Sequence, residues 1–165
     1  LTTNIYEDNR GSFTESFNLR EVQKIIGPYK FVQDCHSVSA KNVIRGLHYQ
    51  IEHVQGKIVR CLFGEIYDVI VDLRKNSETF GKSIGVRLTP GPMQIWVPPG
   101  FAHGFYVLSE SAEINYKQTD YYYPEYDRTL LWNDEDLGIN WGDIRPVLSL
   151  KDQDGKSFAE CDKYE

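Results

Sequence analysis

The stretch Lys57-Ile58-Val59-Arg60-Cys61-Leu62-Phe63-Gly64-Glu65-Ile66-Tyr67-Asp68-Val69-Ile70-Val71-Asp72-Leu73 decides the fold class. Lys57 to Leu62 and Ile66 to Leu73 are rich in β-branched and aromatic residues. They flank the short connection Phe63-Gly64-Glu65, so the pattern predicts two strands joined as a hairpin. Downstream, Ile84 to Leu88, Gln94 to Val97, Phe105 to Leu108 and Glu113 to Thr119 repeat the strand signal, separated by turn residues such as Pro90-Gly91-Pro92 and Pro98-Pro99-Gly100. Short strands with turns this close argue for a sandwich or barrel over alternating β and α units, and a jelly-roll β-barrel is the expected all-β architecture. Upstream, one short helix is readable. Asn18 can cap it with Glu21 three residues on, Leu19, Val22, Ile25 and Ile26 form an apolar stripe, and Gly27-Pro28 stops it.

The chain has 165 residues, which fits a single domain over 1–165 with no linker, repeat or low-complexity stretch. Its 41% hydrophobic content, with 11 Tyr, 8 Phe and 3 Trp, is enough apolar surface to offset the entropy of folding and excludes a disordered chain. A net charge of −6 argues against a broad nucleic-acid-binding face, because backbone binding needs clustered Lys and Arg. It leaves room for a small anionic ligand held by a few focused cations. Cys35, Cys61 and Cys161 are odd in number and widely spaced, with no Cys-x-x-Cys pair, as suits a reducing cytoplasm. No apolar run reaches the ~20 residues of a membrane span, and nothing resembles a signal peptide.

Chemistry concentrates in Arg45-Gly46-Leu47-His48-Tyr49-Gln50, where His48 and Gln50 share strand parity. A neutral imidazole is available as a general base near neutral pH, although this hexapeptide alone fits a structural histidine better. His103 closes the run Pro98-Pro99-Gly100-Phe101-Ala102-His103, which resembles the second motif of cupin barrels. Metal-binding cupins add a His-x-His pair and a glutamate, and His48-Tyr49-Gln50 breaks that pair, so a barrel without a metal is expected. Arg10, Arg45 and Lys57 are the candidate cations for an anionic ligand or an oxyanion, and each is also a residue type commonly found solvated at a surface. Lys57 opens a strongly apolar strand, where a charge pointing into a barrel needs a reason. Tyr116, Tyr121, Tyr122 and Tyr123 offer phenols for packing, stacking or proton donation. Asp68, Asp72 and Asp152 are each a possible carboxylate partner that would fix a histidine tautomer, and the sequence does not choose among them.

With these residues assembled, the chain resembles the dTDP-4-dehydrorhamnose 3,5-epimerase family over nearly its whole length. The matching stretches are Asp8 to Phe17, Phe31 to Asp34, Arg45 to Gln50, Gln55 to Arg60, Gly64 to Arg74, Trp96 to Phe105, Tyr116-Lys117 and Leu131 to Asp134. Any one is weak, whereas their order and spacing together are specific. The resemblance implies a cupin-like enzyme with no cofactor, acting on a dTDP-linked 4-keto-6-deoxyhexose. It implies His48 as the base with Asp152 as its partner, Tyr116 as the proton donor on the opposite sugar face, and Lys57 at the C4 oxygen. Substrate positions are implied for Arg10, Glu15, Gln33, Arg45, His103, Tyr122, Asp127 and Lys151, with Asp127 where the family carries glutamate. The resemblance further implies a homodimer in which Arg10 and Glu15 reach the neighbouring subunit's site. Cys35 stands where the family usually has Asn, and the family's first strand is expected to lie ahead of Leu1. A C4 ketone acidifies the protons on C3 and C5, so one base, one cation and one acid suffice for inversion. A C3-only or C5-only epimerase, a ketoisomerase on a related nucleotide sugar, and a non-enzymatic sugar-binding cupin are the alternatives.

Overall fold

The computed structural model describes residues 1–165. Its elements in chain order are β1 (Tyr6–Asp8), β2 (Gly11–Phe13), α1 (Leu19–Ile26), β3 (Gln33–Ala40), β4 (Ile44–Gln50), β5 (Lys57–Phe63), β6 (Ile66–Asp72), β7 (Ser83–Leu88), β8 (Ile95–Val97), β9 (Phe101–Val107), β10 (Ser111–Gln118), β11 (Asp127–Thr129) and α2 (Leu150–Gln153). Strands β3-β10-β5-β8 form one antiparallel sheet and β11-β4-β9-β6-β7 a second, while β1 and β2 make a separate hairpin. The two large sheets face each other as a jelly roll without closing edge to edge, and no helix is long and apolar enough to cross a membrane.

Two apolar clusters explain why β6 reads as an almost continuous hydrophobic run. Its Val69 and Val71, with Leu73 just beyond it, pack outward against Leu137, Trp141 and Cys161 of the C-terminal segment. Ile66 packs inward with Val59 and Cys61 of β5, Phe105 and Val107 of β9, and Ala112 and Ile114 of β10. A sheet covered on both faces needs apolar residues at both parities. The inward positions then change character along each strand: Ala112 and Ile114 give way to Tyr116 and Gln118, and Cys61 and Val59 give way to Lys57. One end of the interior is thus a dry core and the other a polar cavity.

The expected hairpin between β5 and β6 does not form, because β5 pairs with β10 and β8 while β6 pairs with β7 and β9. Phe63-Gly64-Glu65 instead carries the chain from one sheet to the other. Gly64 makes that corner at φ +78°, where a Cβ would lie 2.1 Å from the Ser111 carbonyl oxygen. A turn signal reports that the chain reverses, not which sheet receives the returning strand. The helix forms with Asn18 accepting from the Arg20 amide at 3.1 Å, but Glu21 bonds Lys24 rather than returning to the cap. None of its residues is buried, so its apolar stripe does not join the core.

A bulge in β4 shapes the site. Arg45 pairs with Phe105 and His48 with His103, so β4 carries one residue more than β9 between those pairs. In a regular strand residues 45 and 48 would face opposite sides; the extra residue brings both to the inner face. Gly46, at φ +119°, permits it: a Cβ there would stand 2.6 Å from the Gly104 Cα.

Candidate active site

The polar end of the interior is a cavity of about 470 Å³, with Arg45, His48, Gln50, Lys57, His103, Tyr116, Tyr122, Asp127, Lys151 and Asp152 among its lining residues. His48 comes from β4 in one sheet and Tyr116 from β10 in the facing sheet. Both line the same cavity, and its volume of about 470 Å³ has room for a sugar ring.

His48 Nε2 lies 2.5 Å from Asp152 Oδ1, and the Asp152 side chain is only 4% exposed. The C-terminal segment reaches this position because Val147 runs parallel to Val43 beside β4, after which Ser149 caps α2 by accepting from the Asp152 amide at 3.1 Å. Burial alone would raise the Asp152 carboxyl, but the hydrogen bond and charge of His48 outweigh it and hold the group below its ordinary value. An ionised carboxylate there orients the imidazole and stabilises its protonated form. Asp68 likewise fixes the orientation of His103, whose Nε2 lies 2.9 Å from Asp68 Oδ2 deep in the interior. Asp72 points away from both and is taken up by Arg74, Ser77 and Thr79. The structure therefore separates the three carboxylates that the sequence left equivalent.

Lys57 is 8% exposed, and its ammonium has neither a hydrogen-bond nor a salt-bridge partner within the chain. Burial pushes it down to about 8, while the charges of Asp127 and Asp68 draw it back toward its ordinary value. A desolvated cation without a fixed partner is suited to an oxyanion that develops during reaction. Tyr116 sits in register between Cys35 and Val59, and burial raises its phenol, keeping the proton on at neutral pH. Lys151 and Asp152 are neighbours on α2; Lys151 pairs with Asp127, which also accepts from the Tyr122 hydroxyl at 2.9 Å. Arg45 donates from Nε to Ser39 Oγ at 2.9 Å.

The remaining expected site residues stand apart. Arg10, on the β1–β2 hairpin, pairs with Asp8, and Glu15 accepts from Asn18; neither lines the cavity. Gln33 sits behind the wall, donating to Gln118 at 3.0 Å. Sequence reading missed Ser37, Gln55, Gln118 and Ser149, which do line the cavity. Gln118 was accessible through parity with Tyr116, and Gln55 through its place two residues before Lys57. No group of three or more His, Cys, Asp or Glu side chains is arranged to hold a metal ion.

The family model described as dTDP-4-dehydrorhamnose 3,5-epimerase matches residues 1–160. A dTDP-4-dehydrorhamnose 3,5-epimerase from Pseudomonas aeruginosa is 52% identical over 163 residues, covering 97% of this chain and 90% of that protein. The crystal structure of a Legionella pneumophila dTDP-6-deoxy-D-glucose-3,5-epimerase in complex with dTDP-4-keto-L-rhamnose superposes with a TM-score of 0.94 at 46% identity, over 98% of this chain and 87% of that one. A 3'-monoepimerase from Streptomyces bikiniensis in complex with dTDP-quinovose superposes with a TM-score of 0.90 at 30% identity, over 96% and 82%.

Proposed function

The chain belongs to the dTDP-4-dehydrorhamnose 3,5-epimerase family, and from that premise we propose that it inverts C3 and C5 of a dTDP-linked 4-keto-6-deoxyhexose by one base and one acid on opposite faces of the sugar. The observation that carries this reading is the pairing across the cavity. His48, backed by Asp152, stands on one sheet, Tyr116 stands on the facing sheet, and the unpaired Lys57 ammonium lies buried in the same cavity. His48 removes the proton next to the ketone and becomes an imidazolium stabilised by Asp152. Lys57 holds the enolate oxygen, and Tyr116 returns a proton from the other side. Arg45, Tyr122, Asp127, Lys151, Gln33 and His103 bind or align the nucleotide sugar. The same base and acid serve both carbons once the ring shifts within the cavity.

We read the active form as a homodimer in which Arg10 and Glu15 complete a neighbouring subunit's site. Support comes from the β1–β2 hairpin, whose Tyr6 and Phe13 are 60% and 69% exposed and whose Arg10 does not reach the cavity of its own chain. Three free thiols are consistent with a reducing cytoplasm.

Incubation with dTDP-4-keto-6-deoxyglucose and proton NMR of the product tests the reading. Ring couplings that report inversion at both carbons support it; inversion at one carbon identifies a monoepimerase such as the S. bikiniensis relative, and a migrated ketone a ketoisomerase. Turnover should persist in excess chelator, because no step here calls on a metal. Complete loss, restored by a divalent ion, would contradict that. The pH profile of kcat/KM should fall on the alkaline side with a midpoint near 8, since a neutral Lys57 amine cannot balance an enolate. A profile flat to well above this value would remove Lys57 from that role.

A further inference from the structure

Gln50 is 3% exposed, and both ends of its carboxamide are spent on main chain. Its Nε2 donates to the carbonyls of His53 at 2.8 Å and Tyr121 at 3.1 Å, and its Oε1 accepts from the Tyr123 amide at 2.7 Å. Gln33 Oε1 accepts from the amide of the residue between, Tyr122, at 2.9 Å. Three consecutive residues of the segment after β10 are therefore held by two amide side chains. Apart from the stacking of Tyr123 on His53, little apolar burial fixes this segment, for Tyr121 and Tyr122 are 55% and 50% exposed. Such a segment takes its order from hydrogen bonds.

The clamp joins a closed circuit around the cavity. Tyr122 donates to Asp127, which lies opposite Gln50 in the β4–β11 register. Asp127 also receives Lys151, whose neighbour Asp152 holds His48, and His48 lies two residues before Gln50 on the same strand. We propose that Gln50 is a positioning residue: it ties the backbone of residues 121–123 to the strand that carries His48 and thereby holds Tyr122 against Asp127 at the cavity wall. This role rests on the epimerase reading above. Gln50 occupies the place where a His-x-His pair would present its second metal ligand, and here that place serves to order a substrate-facing tyrosine. It hydrogen-bonds neither Asp152 nor Lys57, so its loss disturbs binding ahead of proton transfer.

The test is Gln50→Met, close in volume and without the hydrogen bonds, alongside Tyr122→Ala and the double variant. KM for the 4-keto nucleotide sugar should rise about tenfold in Gln50→Met, the scale of one or two net hydrogen bonds, with kcat within about twofold. The double variant should be no worse than Tyr122→Ala, because the clamp acts through that side chain. Amide hydrogen exchange at Tyr122 and Tyr123 should accelerate at least tenfold, a readout independent of turnover. Gln50→Glu, which keeps the acceptor for Tyr123, should fall between Gln50→Met and the native chain, and it carries the same assays if Gln50→Met does not fold. Unchanged amide exchange, a fall in kcat at constant KM, or effects that add in the double variant would each overturn the proposal. If the native chain itself fails to invert the sugar, the epimerase reading is lost, while amide exchange still decides the clamp.

Discussion

His48→Ala should abolish both solvent exchange and inversion at the carbons beside the ketone, with kcat falling about 10²–10⁴-fold, the usual cost of removing a general base. Nothing else in the cavity is placed to substitute. His103 is only 7% exposed and engages Asp68 at 2.9 Å, and Asp152 is buried behind His48 with its side chain only 4% exposed, set back from the face that meets the sugar. The fold should survive the change, since the His48 side chain is 31% exposed and Leu47 and Tyr49 on either side carry the core contacts of the strand. Steady-state kinetics and NMR in deuterated water measure the two losses together. Exchange at the native rate in His48→Ala would show that another group removes the proton.

Tyr116→Phe should divide what His48→Ala removes as a whole. Deprotonation needs only His48 and the cation that holds the enolate, and both remain. The variant should therefore still take up solvent deuterium on the original face, while inversion falls by a similar 10²–10⁴-fold because phenylalanine has no proton to give from the other side. The substitution is conservative structurally: the Tyr116 hydroxyl forms no hydrogen bond to a backbone group, and the ring keeps its place beside Val59 and Cys35. Normal inversion by Tyr116→Phe would move the donor elsewhere, with Tyr122 the first phenol to examine, since it lines the same cavity and bonds Asp127.

Much of this arrangement was legible in the residues. Strand content around Lys57 to Leu73 is written in β-branched runs, and the inward direction of Lys57 follows from a charge at the head of an apolar strand. What sequence could not supply is anything set by non-local pairing. Gly64 marks a reversal, yet only the partners of β5 and β6 reveal that it crosses between sheets. Parity joins His48 to Gln50 but assigns Arg45 to the other face, and the bulge at Gly46 reverses that assignment. Asp68, Asp72 and Asp152 look alike as possible partners for a histidine, and their separation depends on a C-terminal segment that returns beside Val43 from more than a hundred residues away. Gln118 and Gln55 do not titrate and so carry no sign of chemistry of their own, although strand parity with Tyr116 pointed to the first and the matching stretch that opens at Gln55 pointed to the second. Arg10 stands out in the sequence only as one of several candidate cations and Glu15 only through family resemblance, and a single chain offers no local reason for either to meet a nucleotide.

Proton transfer next to a ketone, between one sheet's histidine and the facing sheet's tyrosine, is the central claim, and one experiment reaches it directly. The native chain is incubated with dTDP-4-keto-6-deoxyglucose in deuterated water containing chelator, and deuterium is located in the product by NMR. The expected product carries deuterium at both C3 and C5, each with inverted configuration. A product that retains protium at both carbons, or a substrate recovered with neither carbon exchanged, would contradict the account.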